Sequence, residues 1–210
     1  MNLKFHMKII CIGRNYVAHA HELNNEIPDE PVFFMKPDSS LLRNNEPFYI
    51  PEWTKDVHHE IELIIKINRI GKNVEKRFAH RYFDEIGLGI DFTARDVQNK
   101  LKEKGLPWEK AKAFDQAAVL GSVFIDKTVF PDQQNISFKL KINGDVVQEG
   151  NSELMIFSFE EIISHVSKYV TLKIGDLIYT GTPAGVGPVK IGDHLEGFLE
   201  DKKLLDFMIK

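Results

Sequence analysis

Apolar and polar positions alternate with a period of two in several short stretches and follow helical spacing in only a few. The clearest alternation runs from His59 to Ile67. Ile61, Leu63, Ile65 and Ile67 fall on one face of a strand, and Glu60 and Glu62 on the other. Lys8 to Gly13 and Ile86 to Asp91 are shorter apolar runs that also predict strands. Pro28, Pro31, Pro37, Pro47 and Pro51 punctuate the region between them. Each lacks an N–H and fixes φ, which predicts irregular loop or edge structure. Asn143-Gly144, within Lys139 to Gln148, predicts a tight hairpin because both residues tolerate positive φ. Two similar decapeptides, Leu172 to Gly181 and Val189 to Phe198, each read as a Gly-Asp turn feeding a strand. Two copies are too few for a solenoid.

Helical signals are sparser. Tyr16 to Asn24 predicts a short helix with a polar face. Thr93-Ala94-Arg95-Asp96 has the spacing of a capping box with Asp in place of Glu, and Lys100, Lys102 and Lys104 suit the far end of that helix before Gly105 and Pro107 stop it. Ser158 opens another helix. Glu161 completes its S-x-x-E signature, and Phe159, Ile162, Ile163 and Val166 form its apolar stripe. No low-complexity linker divides the chain. The expectation is one β-rich α+β domain over residues 9–210, behind a short N-terminal extension of residues 1–8.

Composition narrows the class of protein. A chain of 210 residues can bury one continuous core. Lys+Arg 27 against Asp+Glu 31 leaves a net charge of −4, the wrong sign for a nucleic-acid groove or an anionic membrane. The single Cys11 can form neither an internal disulfide nor a thiolate zinc site, which suits a reducing compartment. No apolar run approaches the roughly 20 residues of a membrane helix. Met1 to His6 lacks the apolar core and cleavage pattern of a signal peptide. The expectation is a cytoplasmic protein without membrane or nucleic-acid partners.

The candidate chemistry lies in carboxylates and their neighbours. Glu60 and Glu62 share a strand face, roughly 6–7 Å apart at Cα, and read either as a solvated surface or as a cation-binding pair. Asp91 ends an apolar strand just before a helix, a common place for ligand-facing residues. It could be a helix-entry Asp or a third oxygen ligand, in a set that suits Mg²⁺, Mn²⁺ or Ca²⁺ better than zinc. His19 and Glu22, spaced i, i+3, share a helix face; they are a surface ion pair or a base with its orienting carboxylate. Arg95, Gln98 and Lys112 follow Asp91 closely and are either solvated or available to grip an anion. Thr180 to Gly187 is a Gly-rich loop that matches neither the dinucleotide fingerprint nor the P-loop. Neither His21-Glu22 nor His59-Glu60 has the second His of a zinc protease; Asn25 and Leu63 stand there. No G-x-S-x-G elbow is present, so covalent catalysis has little support.

Taken together, the ordered segments Gly13–His19, Phe34–Pro37, His59–Glu62, Asp91–Gln98, Gly105–Trp108, Lys112–Phe114 and Thr180–Pro183 resemble the fumarylacetoacetate hydrolase family over nearly the whole chain. The likeness is to its short, single-domain acylpyruvase or oxaloacetate decarboxylase members. The resemblance implies a mixed β-sandwich roll, a homodimer, and Mg²⁺ or Mn²⁺ held by Glu60, Glu62 and Asp91. It implies His19 and Glu22 as base and orienter on a lid helix, Lys112 as a further catalytic group, and Arg95, Gln98 and Thr182 around the substrate. The activity implied is hydrolysis of acylpyruvates to pyruvate and a carboxylic acid through a metal-stabilised enolate. Oxaloacetate decarboxylation and keto–enol isomerisation of a 2-oxo acid would use the same residues. A silent 2-oxo acid binder is the reading from outside the enzymes.

Overall fold

Ile61–Ile67, the alternating segment, forms strand β5 near the middle of a mixed eight-stranded sheet in a computed structural model that describes residues 7–23, 26–133 and 135–210. Its neighbours are β12 (Leu177–Tyr179) and β6 (Phe83–Asp91), both antiparallel to it. Beyond β12 lie β1 (Ile9–Gly13), parallel to β12, and then β2 (Val32–Lys36) at the edge. Beyond β6 lie β8 (Ala118–Leu120) and β3 (Leu41–Leu42), with β9 (Ile125–Asp126) also pairing with β6. A second, antiparallel sheet runs β11 (Asp145–Asn151), β10 (Ser137–Ile142), β14 (His194–Leu199), β15 (Lys202–Met208). Three short strands, β13 (Gly187–Pro188), β4 (Val57–His59) and β7 (Thr93–Ala94), form a third. The expected β-rich α+β roll is therefore present.

Both faces of β5 are covered. Ile61, Leu63, Ile65 and Ile67 join the large core together with Phe138, Ile162 and Leu195. Ile64 packs on the other face with Ile9, Cys11, Ala118, Leu177 and Tyr179. Glu60 and Glu62 lie on the Ile64 side and are buried, which rules out the solvated-face alternative. A strand paired on both edges and packed on both faces leaves no water-exposed side for them.

The Pro-punctuated region contains strand β2, flanked by Pro31 and Pro37 rather than interrupted by them, and the two-residue β3. The place of β2 at the sheet edge fits a segment bounded by prolines. The Asn143-Gly144 hairpin forms, with φ of 53° and 94° at its two turn residues. Each decapeptide makes its turn, with Asp176 accepting the Lys173 amide and Asp193 the Lys190 amide. Helix α5 (Phe159–Tyr169) carries the full Ser158/Glu161 capping box. The Lys8 amide donates to buried Asp176 at 2.9 Å. Met1 to His6 and Asn24 lie outside the described residues, and α1 spans Val17–Glu22. Helices α2 (Lys76–Ala79) and α4 (Glu109–Lys112) are single turns.

Helix α3 (Arg95–Glu103) corrects one expectation. Its N-cap is Ala94, and no side chain caps it. The Thr93 hydroxyl donates instead to Glu60 at 2.9 Å, and Asp96 accepts from the Thr54 hydroxyl at 2.6 Å. The capping residues are drawn into tertiary bonds because α3 starts against a buried carboxylate that needs donors.

Candidate active site and metal centre

Antiparallel pairing of β5 with β6 brings the three carboxylates together. The Asp91 amide donates to the Glu60 carbonyl at 2.8 Å, and Glu62 faces Gly89 in register. One oxygen from each of Glu60, Glu62 and Asp91 then lies within 4.8 Å of the others, with all three residues buried. Cationic side chains surround two of them. Lys112 Nζ is 2.7 Å from Glu60 Oε2 and 2.8 Å from Asp91 Oδ2, and Arg95 donates to Glu60 Oε1 at 2.5 Å. Lys36 Nζ sits 2.5 Å from Asp91 Oδ1 and also donates to the Ala117 carbonyl at 2.8 Å. Glu62 forms no ion pair among the described residues; it accepts the Gly181 amide at 2.7 Å.

The titration behaviour follows from this asymmetry. Burial alone would raise Glu60, but the Lys112 and Arg95 charges hold it well below the usual carboxylate range. Burial together with the like charges of Asp91 and Glu60 pushes Glu62 well above that range. Burial would also lower Lys112, yet Asp91 and Glu60 raise it, so it stays charged. Three converging carboxylates, one held against its own charge, fit a hard divalent cation. Mg²⁺ and Mn²⁺ suit an all-oxygen donor set, and either would relieve the repulsion at Glu62.

The same cleft, with a free volume of about 30 Å³, is lined by His19, Arg95, Gln98, Lys112 and Thr182 as well as the carboxylates. His19 Nδ1 faces Glu22 Oε2 at 3.1 Å. Burial lowers the His19 pKa, against the raising effects of Glu60 and Glu22. Gln98 accepts from Arg95 at 2.6 Å, so α3 presents the two as a unit. Thr182 reaches the cleft, but its hydroxyl donates to the Ile61 carbonyl at 2.8 Å and accepts from Gln148 at 2.9 Å. It therefore has no proton left to donate to a ligand. Cys11 is fully buried, and burial and Asp91 push its thiol up, which leaves it unreactive.

Sequence reasoning gave no role to four of the residues found here. Lys36 closes an otherwise apolar strand, and a lysine ending such a run was the available signal. Gln148 anchors the site from behind, accepting from the Ile61 amide at 3.0 Å and contacting His59 at 2.9 Å. Arg14 and Lys102 line the cleft mouth. Lys102, read as a helix-end cation, lies on the Arg95–Gln98 face through its i+7 and i+4 spacing.

The β-roll thus gathers a buried carboxylate cluster beside a buried histidine oriented by a carboxylate. The chain belongs to the fumarylacetoacetate hydrolase family: the model described as "Fumarylacetoacetate (FAA) hydrolase C-terminal" matches residues 8–209. The chain is 41% identical over 202 residues to "Oxaloacetate tautomerase FAHD1, mitochondrial" from Bos taurus, covering 96% of this chain and 91% of that one. It is 45% identical over 190 residues to "Oxaloacetate decarboxylase, mitochondrial" from Dictyostelium discoideum, covering 90% and 87%. Its structure matches that of fumarylpyruvate hydrolase from Pseudomonas aeruginosa in complex with Mn²⁺ and pyruvate, with a TM-score of 0.90 at 31% identity, covering 96% and 88%.

Proposed function

We propose that this chain is a divalent-metal-dependent enzyme of 2-oxo acids that moves a proton at carbon 3 of oxaloacetate, interconverting its keto and enol forms. One observation carries the reading: His19, kept neutral by burial and oriented by Glu22, opens onto the same cleft as Glu60, Glu62 and Asp91. The relatives named for oxaloacetate chemistry support the substrate, and the Mn²⁺ and pyruvate of the fumarylpyruvate hydrolase support the ion.

Glu60, Glu62 and Asp91 would hold Mg²⁺ or Mn²⁺. Such an ion, when bound, withdraws electrons from the 2-oxo group and acidifies carbon 3. Glu22 fixes the Nδ1–H tautomer of His19, which leaves Nε2 as the base that takes the carbon-3 proton. The Glu22 carboxylate stabilises the imidazolium that results. Arg95 and Gln98 orient the substrate carboxylate, and Lys112 places fixed positive charge beside the developing negative oxygen. Returning the proton to oxygen completes the tautomerisation. Loss of CO₂ from the bound keto acid needs the same electrostatics but no base.

Hydrolysis of acylpyruvates is the second reading, favoured by the structural likeness to the fumarylpyruvate hydrolase. There His19 would take its proton from a water that attacks the distal carbonyl. Enol–keto conversion and decarboxylation of oxaloacetate, and pyruvate release from acetylpyruvate, are measured in parallel with Mg²⁺ and with excess chelator. Chelator-sensitive tautomerisation outpacing the other two supports the proposal, and faster acetylpyruvate cleavage replaces it with the hydrolase.

We take the acting form to be a homodimer, as the family resemblance implies, and sedimentation checks it. No helix among the described residues is long and apolar enough to cross a membrane. The lone buried Cys11 suits the cytoplasm or another reducing compartment, and both relatives above carry "mitochondrial" in their names.

A further inference from the structure

Four cationic side chains line the cleft, and Glu60 and Asp91 engage only two of them, Arg95 and Lys112. The other two, Arg14 and Lys102, form no ion pair with any carboxylate among the described residues. Arg14 Nε is buried without a hydrogen-bond partner. The Lys102 ammonium lies 5.8 Å from the centroid of the Trp108 ring. Burial and the nearby charges of Arg95 and Arg14 lower the Lys102 pKa, against the raising charge of Glu60.

Arg14 is also held in an uncommon backbone conformation, with φ of 59°. Asn15 fixes it there: its amide group donates to the Phe157 and Thr180 carbonyls at 3.1 and 2.8 Å, and its side-chain oxygen accepts the Phe157 amide at 2.8 Å. Unfavourable backbone geometry maintained by a buried anchor marks a side chain that is aimed. Lys102 is presented by the helix face that carries Arg95 and Gln98, so one rigid element spans from the carboxylates to the mouth. Two convergent, unpaired cations at the mouth of a cleft are an anion site.

We propose that Arg14 and Lys102 form a second anion subsite that receives the distal carboxylate of a 2-oxo dicarboxylate and thereby selects such substrates over 2-oxo acids with an uncharged tail. This rests on the reading of the cleft as a 2-oxo acid site. Arg14 supplies a planar fork for the carboxylate and Lys102 a point charge. Neither is needed to bind the 2-oxo acid end, which belongs to Arg95, Gln98 and the carboxylate cluster.

The test compares Lys102→Met and Arg14→Met with the parent protein in Mg²⁺, using oxaloacetate and acetylpyruvate. The ratio of kcat/KM for oxaloacetate to that for acetylpyruvate is expected to fall about tenfold in each variant, through KM rather than kcat. An unchanged ratio overturns the subsite. Oxalate affinity, which reports the inner site, is measured alongside. A comparable loss of oxalate affinity also overturns it, because the substitution then acted on the inner site. Should Arg14→Met fail to fold, Lys102→Met, on the half-buried face of α3, carries the test. If the parent turns over neither substrate, the enzymatic reading fails. Displacement of bound oxalate then decides the subsite: oxaloacetate competing better than acetylpyruvate, with that advantage lost in Lys102→Met, supports it, and equal competition overturns it.

Discussion

His19 Nδ1 lies 3.1 Å from one oxygen of Glu22, and the other oxygen of Glu22 accepts the Gly185 amide at 2.9 Å. Glu22 thus orients the imidazole and ties the short helix α1 to the Gly-rich loop across the cleft. Replacing His19 by Asn removes the base and should lower tautomerisation by about 10²–10⁴-fold. Glu22→Gln should lower it less, since a neutral amide still orients the ring but stabilises the imidazolium poorly. Decarboxylation should fall less than tautomerisation in His19→Asn. Steady-state assays of both reactions check this, and equal losses would contradict the assignment of His19 as base.

The pH dependence follows from the direction of the His19 shift. Burial lowers its pKa below the ordinary 6.5, so the neutral, proton-accepting ring persists to lower pH. A bound divalent cation would push it the same way. The kcat profile should therefore be flat at neutral pH and fall only on the acid side of 6.5. Glu22→Gln removes a raising influence and should move that limb to still lower pH. A limb above 7 in the parent would contradict the account.

Lys112 stabilises the site electrostatically as well as serving it. Lys112→Met leaves Glu60 and Asp91 with one buried cationic partner fewer, a change that should cost about 3–5 kcal/mol without metal. Thermal unfolding in chelator should show the loss, and Mg²⁺ should recover part of it. Glu62 sets the sign of the accompanying pH effect. Its raised folded pKa means the metal-free fold binds this proton more tightly than the unfolded chain. That contribution to stability is present at low pH and declines as pH rises past the unfolded carboxyl value toward the folded one. Mg²⁺ competes with this proton, so the Tm gain from Mg²⁺ should grow with pH.

Much of this architecture was legible in the sequence. The period-two run at Ile61–Ile67, the Asn143-Gly144 turn and the Ser158/Glu161 box depend on local chemistry, and each formed as read. The burial of Glu60 and Glu62 was not legible from alternation alone. The face they occupy continues through Ile64, and only the second packed layer shows that it is closed. Thr93 and Asp96 misled because a capping signature says nothing of competing tertiary partners. Lys36 and Gln148 escaped notice because their partners, the Asp91 carboxylate and the Ile61 amide, lie far away in sequence. The carboxylates, His19, Arg95, Gln98 and Lys112 do converge on one cleft, and Glu22 reaches it only through His19. Thr182 converges too, although its proton is committed to Ile61.

Gly181 offers a test of how the loop holds the site. Its φ is 102°, and an added Cβ would lie 2.7 Å from Asn15 Cβ, while its amide bonds Glu62. Gly181→Ala should therefore destabilise the fold by about 1–3 kcal/mol and weaken Mn²⁺ binding by displacing Glu62. Denaturant unfolding and Mn²⁺ titration measure the two effects separately. Wild-type values for both would show that the loop yields freely.

The central claim is that Glu60, Glu62 and Asp91 hold a divalent cation on which a 2-oxo acid is recognised. Oxalate mimics the planar enolate of such an acid, so its calorimetric titration with Mg²⁺ and with excess chelator is the most direct measurement. The account predicts a one-to-one binding isotherm with Mg²⁺, and its loss both in chelator and in Glu62→Gln. Oxalate binding of equal affinity without metal would contradict it.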